Sequence, residues 1–226
     1  LVKKNEFDLW PMASLTKLMT ASIAFENIDL NSKILITEKS ASQLSNTLFK
    51  MGEYYSAMDM IRASLISSNN TSAFSLAESF GYEKFINLMQ QKANFLGMKK
   101  TVFFDPTGLS SSNKSTVLDF EILANYIYKN QKEILDITSE KVAEIKEIAS
   151  GSIKTLHTTN IFAGEEYFIG GKTGYTTEAQ GNLFSIFKAG NKLLLSIVLG
   201  STSRFEDTQK IYILGLRKLL GLSASR

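Results

Sequence analysis

Apolar positions recur at helical spacing through the first two-thirds of the chain and at strand spacing in the last third. Ser14-Leu15-Thr16-Lys17-Leu18-Met19-Thr20-Ala21-Ser22-Ile23-Ala24-Phe25-Glu26 lacks Gly and Pro and is apolar on most faces, which predicts a buried helix beginning shortly after Pro11. Weak alternation over 33–37 predicts a short strand. Helical spacing follows over 56–67, with Met60, Ala63, Ser64 and Ser67 on one face, and again over 71–80 and 83–96. Gly97 stands where the last of these would be capped. Asp105-Pro106-Thr107-Gly108 is turn chemistry. The helical pattern resumes over 117–128, with Leu118, Ile122, Ala124, Ile127 and Tyr128 as the expected apolar stripe.

Strand-like segments then fall at 141–145, 153–158, 182–188 and 192–199, and Ala189-Gly190-Asn191 fits a hairpin joining the last two. Residues 204–220 return to helical spacing through Phe205, Ile211, Tyr212, Leu216 and Leu219. Helices grouped mid-chain with late adjacent strands predict an α/β fold of the α+β kind: an antiparallel β-sheet flanked by helices, plus an all-helical lobe. With only two prolines, no linker composition and no repeat, one domain over 1–226 is expected. The longest apolar run, 193–199, is far short of the ~20 residues of a membrane span and reads as a buried strand. The chain opens on Leu1 with no leader pattern ahead of its first motif, and its start is read as a cut.

Composition removes several chemistries. There is no Cys, so thiol catalysis, disulfide scaffolds and thiolate-bound zinc are out. The single His, His157, makes a His cluster impossible and reads as a surface strand residue. No metal and no organic cofactor are expected. A net charge of +3 is too small to argue for nucleic acid.

A serine enzyme without a placed His needs another base, and Ser14-Leu15-Thr16-Lys17 offers one. Three residues apart at a helix start, hydroxyl and amine share a face. The free N–H groups and positive dipole of that end favour an oxyanion at Ser14. To accept a proton near neutral pH, Lys17 must titrate roughly 3 pH units below the usual ~10.4, a bias of about 4 kcal/mol against the charged form. Burial and a second cation could supply it. Ser68-Asn69-Asn70 lies between two helical patterns, and Lys172-Thr173-Gly174 follows Gly170-Gly171 into a strand-like region. Three such triplets in this order form the signature of penicillin-binding proteins and class A β-lactamases.

With these residues the chain resembles the serine-type D-alanyl-D-alanine carboxypeptidases, the low-molecular-mass penicillin-binding proteins of peptidase family S11, which have a β-lactamase-like transpeptidase fold. Pro11-Met12-Ala13-Ser14-Leu15-Thr16-Lys17-Leu18-Met19-Thr20 is similar to the family's nucleophile segment. Further similarities are Gly52-Glu53, Lys92-Ala93, Leu96-Gly97-Met98, Asp105-Pro106-Thr107-Gly108-Leu109, Gly171-Lys172-Thr173-Gly174-Tyr175-Thr176 and Leu199-Gly200-Ser201.

The resemblance implies a role for each matching residue. Ser14 would be the nucleophile, Lys17 its base and Ser68 a proton relay from Lys17 to the leaving nitrogen. Asn70 would bond the substrate backbone or Lys17. Lys172 would supply positive charge and help depress Lys17, and Thr173 would bind the terminal carboxylate, with Arg204 a second carboxylate partner. Ser14 and Tyr175 amides would form the oxyanion hole, Gly174 letting the strand approach. Substrates would be peptidoglycan stem peptides ending in D-Ala-D-Ala, and β-lactams would acylate the same serine. The setting would be bacterial and extracytoplasmic, with no membrane contact evident in this chain.

The chain departs from the family pattern in having only 13 residues before Ser14, so one or more N-terminal strands are expected to be missing, and in lacking a C-terminal β domain. It also carries Asn69 where Gly is frequent, and Thr71-Ser72 in place of Asp-Ala. A D,D-endopeptidase, a β-lactamase and an inactive wall-binding protein remain as alternatives.

Overall fold

A computed structural model describes residues 1–44 and 47–221. Strand β1 (Trp10–Pro11) leads into a tight 3-10 turn at Ala13–Leu15 and then α1 (Thr16–Asn27). The expected first helix is present, but Ser14 belongs to the turn at its head. Every residue of α1 from Thr16 to Ala24 is buried, so this helix runs through the core. Strand β2 (Lys33–Leu35) and the short α2 (Glu38–Ala41) precede β3 (Tyr54–Ser56), which pairs antiparallel with β2.

Polar side chains set the helix starts that follow. The Ser56 hydroxyl accepts from Asp59 N at the head of α3 (Ala57–Ile66), and the Asn69 side chain accepts from Ser72 N at the head of α4 (Asn70–Phe80). Next comes α5 (Tyr82–Leu96), which ends at Gly97 in the left-handed conformation. The short β4 (Lys114–Ser115) pairs with β1.

Thr116 caps α6 (Val117–Asn130), and α7 (Lys132–Ser139) follows at once. The buried face of α6 is shifted from the expected stripe: Ala124 and Ile127 are buried as expected, but Phe120 and Leu123 join them, Leu118 and Ile122 are half-buried and Tyr128 is exposed. The reason is Asp119, which turns inward because its carboxylate accepts from Lys100 N and Thr101 Oγ1.

Strands β5 (Val142–Lys146) and β6 (Ile153–His157) form a hairpin. The main sheet is β7 (Phe168–Thr176), β8 (Gln180–Ala189) and β9 (Lys192–Ser201), antiparallel in that order. Gly190-Asn191 makes the β8–β9 turn, as the sequence predicts. Helix α8 (Arg204–Leu219) closes the described chain.

Strand β8 is buried on both faces, and its alternation sorts two cores. Phe184 and Ile186 join the large core built around α1 and α3–α7. Leu183 and Phe187 join a smaller aromatic cluster with Phe162 and Phe168, covered by Phe205 and Tyr212 of α8. The sheet is therefore sandwiched, with the 3-10 turn against β7.

Candidate active site

The segment before Ser14 is held from the sheet. Asn182, fully buried in β8, donates from Nδ2 to the carbonyls of Pro11 (2.8 Å) and Met12 (3.0 Å), and its Oδ1 accepts from Gly200 N (2.9 Å). Ala13 is forced to φ 47, and Ser68 in the second triplet to φ 57. Left-handed backbone at non-glycine residues costs of order 1–3 kcal/mol and gathers where side chains must be aimed. Ser14 is thereby left half-buried, with Lys17 completely enclosed beside it.

Lys17 Nζ reaches three oxygens: Ser14 Oγ at 2.9 Å, Asn70 Oδ1 at 2.8 Å and the Thr107 carbonyl at 2.6 Å. Asn70 Nδ2 donates to the Leu44 carbonyl (2.9 Å), which turns its amide oxygen toward Lys17. Burial pushes the Lys17 amine down to about 7, against an opposing pull from the Asp105 carboxylate. That value leaves a large neutral fraction at neutral pH.

The Thr107 carbonyl belongs to the Asp105–Gly108 turn, which lies against Ala13 and Thr16. At Gly108, with φ +84, an added Cβ would meet the Ala13 carbonyl oxygen at 1.8 Å. Only glycine fits there.

The third triplet comes in on β7. Lys172 is buried and donates to Ser68 Oγ (2.7 Å) and to the Thr173 carbonyl (3.0 Å). Burial first, then the Lys17 and Arg204 cations, hold Lys172 well below the usual lysine range. Thr173 Oγ1 lies 2.6 Å from Thr159 Oγ1. An added Cβ at Gly174 would stand 3.1 Å from Ser14 N, so this glycine brings the β7 backbone alongside the Ser14 amide. Arg204 Nη1 donates to the Gly174 carbonyl (3.1 Å). Beyond this contact, Tyr175, Gly181, Ser201, Arg204 and Phe205 line a recess of ≈ 360 Å³.

Of the residues singled out from sequence, Lys17 meets both Ser14 and Asn70. Ser68 and Lys172 meet each other, Gly174 stands beside Ser14, and the Tyr175 side chain is 62% exposed. Ser68 Oγ is engaged by Lys172, whereas the resemblance implied a relay reaching Lys17. His157 is exposed on β6. Sequence reasoning missed three groups that contact the candidate residues or hold the segment before Ser14: the Thr107 carbonyl, Thr159 and Asn182. The Asp105-Pro106-Thr107-Gly108 turn was the one available signal, and nothing in it named Lys17 as the partner.

Residues 1–203 match the family described as peptidase S11, D-alanyl-D-alanine carboxypeptidase. The chain is 29% identical over 220 residues to the D-alanyl-D-alanine carboxypeptidase DacF of Bacillus subtilis (strain 168), covering 93% of this chain and 56% of that protein. It is 34% identical over 203 residues to a D-alanyl-D-alanine endopeptidase of Haemophilus influenzae, covering 85% of this chain and 68% of that one. Its fold is similar to that of penicillin-binding protein D2 from Listeria monocytogenes in the ampicillin-bound form: TM-score 0.83, 29% identity, 95% of this chain and 90% of that chain. The chain thus spans little more than half the length of the DacF protein.

Proposed function

The chain belongs to the peptidase S11 family of D-alanyl-D-alanine carboxypeptidases, and from that premise we propose that it is a serine D,D-carboxypeptidase acting on peptidoglycan stem peptides through an acyl-enzyme at Ser14. The observation that carries this reading is the 2.9 Å contact between Ser14 Oγ and a fully buried Lys17 amine held at about 7.

In its neutral form Lys17 takes the Ser14 proton as Oγ bonds to the carbonyl carbon between two D-alanines. The charge that develops on the carbonyl oxygen is met by the amides of Ser14 and Tyr175. As the C–N bond breaks, a proton passes from the Lys17 side of the site, by way of Ser68, to the leaving nitrogen, and free D-alanine departs. Water then attacks the ester carbon, one of its protons passes to Ser14 Oγ as the ester C–O bond breaks, and the shortened peptide leaves as an acid that ionises in water. Asn70 holds Lys17 and meets the substrate backbone. The terminal carboxylate is bound by Thr173 Oγ1 and the positive field of Lys172 and Arg204. An arriving carboxylate favours the protonated form of Lys172, offsetting the desolvation that depresses it.

The strained amide of a β-lactam enters the same site and acylates the same oxygen, as the similarity to an ampicillin-bound structure supports. The place of action is outside the cytoplasmic membrane, where the polymer lies. Among the described residues no helix is long and apolar enough to cross a membrane.

The experiment is covalent labelling with a fluorescent penicillin. Wild-type protein takes the label at Ser14, Ser14→Ala takes none, and Lys17→Ala takes it far more slowly. Absence of label on the wild type, or label on Ser14→Ala, overturns the assignment. A second reading, a D,D-endopeptidase, is favoured by the 34% identity to the Haemophilus enzyme and by Asn69-Asn70-Thr71-Ser72 in the second triplet. Release of D-alanine from a synthetic pentapeptide, set against cleavage of a cross-linked muropeptide dimer, separates the two.

A further inference from the structure

A neutral amine has two N–H bonds and one lone pair. Of the three oxygens around Lys17 Nζ, the Thr107 carbonyl and Asn70 Oδ1 can only accept, so they take the two N–H bonds. The lone pair is left facing the Ser14 hydroxyl. Its aim depends on where the Thr107 carbonyl is held, and that carbonyl lies in a turn outside any helix or strand.

Asp105 is what holds the turn. Its Oδ1 accepts from Thr107 N (2.6 Å), Thr107 Oγ1 (2.6 Å) and Gly108 N (2.7 Å), and its Oδ2 accepts from Ser110 N (2.8 Å). The turn is also fastened to the nucleophile's helix. Thr20 Oγ1 donates to the Pro106 carbonyl (2.6 Å), while Asn113 Nδ2 donates to the Asp105 carbonyl (2.9 Å) and to Thr16 Oγ1 (3.2 Å). Among the described residues no salt bridge neutralises Asp105. All four of its carboxylate contacts come from neutral donors.

We propose that Asp105 is the positioning residue of the base: its carboxylate sets the Thr107 carbonyl against Lys17, leaves the lone pair on Ser14, and carries a negative charge that no salt bridge among the described residues neutralises. This deepens the proposed reaction and rests on that reading. Charge and burial oppose each other at Lys17, burial lowering its proton affinity and Asp105 raising it. Among the described residues, the other ionisable groups acting on this pair are Lys172 of β7, on which Arg204 of α8 also acts, and Tyr82 of α5, whose phenol feels the Asp105 charge. Ser14, Ser68 and Asn70 are neutral. Removing the Asp105 charge while keeping an oxygen acceptor therefore makes Lys17 easier to deprotonate. Removing the acceptor as well lets the turn carbonyl drift and the lone pair lose its aim.

The test uses the full chain and two readouts. Titration of Lys17 followed by its 13Cε resonance reads the amine directly, whether or not the protein is active. The rate of Ser14 acylation by fluorescent penicillin, measured across pH, reads its use. In Asp105→Asn the Lys17 midpoint moves to lower pH by about half a unit or more, roughly a threefold loss of proton affinity. In Asp105→Ala the high-pH acylation plateau drops at least about tenfold, in the range expected for a misplaced general base.

A midpoint in Asp105→Asn that stays put or moves upward overturns the proposal, and so does an Asp105→Ala plateau equal to wild type. A purely structural Asp105 would lower the melting temperature and leave the midpoint unmoved. Should Asp105→Ala not fold, the Asp105→Asn midpoint decides alone. If the wild type takes no label, the proposed reaction falls, while the resonance still decides the role of Asp105.

Discussion

The hydroxyl oxygens of Thr159 and Thr173 lie 2.6 Å apart, one in the exposed stretch after β6 and the other buried on β7. One of the two must donate to the other. If Thr159 donates, the Thr173 proton is free to point at an incoming carboxylate. Thr159→Val should then weaken binding of a carboxylate-ended substrate, raising KM by about three- to tenfold with little change in kcat, as expected for one hydrogen bond. Thr159→Ser should restore it. Steady-state kinetics on a D-Ala-D-Ala peptide check both.

Acylation should fall on the acid side of about pH 7, where the Lys17 amine takes up a proton and can no longer accept one from Ser14. The decline should approach about tenfold per pH unit well below that point. Stopped-time labelling with penicillin between pH 5 and 9, with melting curves recorded alongside, separates this from acid unfolding.

The same amine should leave a mark on stability. Its folded value of about 7 lies below the ordinary lysine value of 10.5, so between those two the unfolded chain binds more protons than the folded one. Stability contributed by this site therefore rises with pH across that window, and the full penalty is present below about 7. Relative to Lys17→Met, wild type should gain up to about 1.4 kcal/mol per pH unit between about pH 7 and 10.5. Relief of repulsion on Lys172 in the variant acts in the same direction. Urea unfolding at several pH values measures the difference.

Gly108→Ala places a methyl group where the Ala13 carbonyl stands and asks alanine to hold φ +84. The turn or the segment around Ala13 must move. A loss of about 2–4 kcal/mol is expected, with slower acylation of whatever remains folded, read by denaturant melts and labelling of one preparation.

Much of this architecture was legible because its signals are local. The core helix after Pro11, the Gly97 cap, the Gly190-Asn191 hairpin and α8 each carry their own periodicity or turn residues. The three polar triplets were equally visible, since each is a short run of unusual residues. What escaped notice depends on distant partners. Helix α7 is a short segment of eight residues, and the start of β7 is masked by Gly170-Gly171, a pair that reads as a loop. The apolar stripe of α6 was right at Ala124 and Ile127 and misplaced elsewhere because a buried Asp119 finds its donors some 18 residues away. The Thr107 carbonyl could not be found by residue type at all, because every residue has one. Thr159 is one hydroxyl in a polar run, distinguished only by what the fold puts opposite it.

The bond from Lys172 to Ser68 joins positions 104 residues apart. No fragment containing one triplet can form it, and neither can a chain whose helices exist but whose sheet has yet to dock. Capture of a penicillin is thus a sensor of completed assembly. In a refolding experiment it should lag behind the return of helical circular dichroism, and after a single proteolytic cut it should disappear together with tertiary structure rather than by degrees.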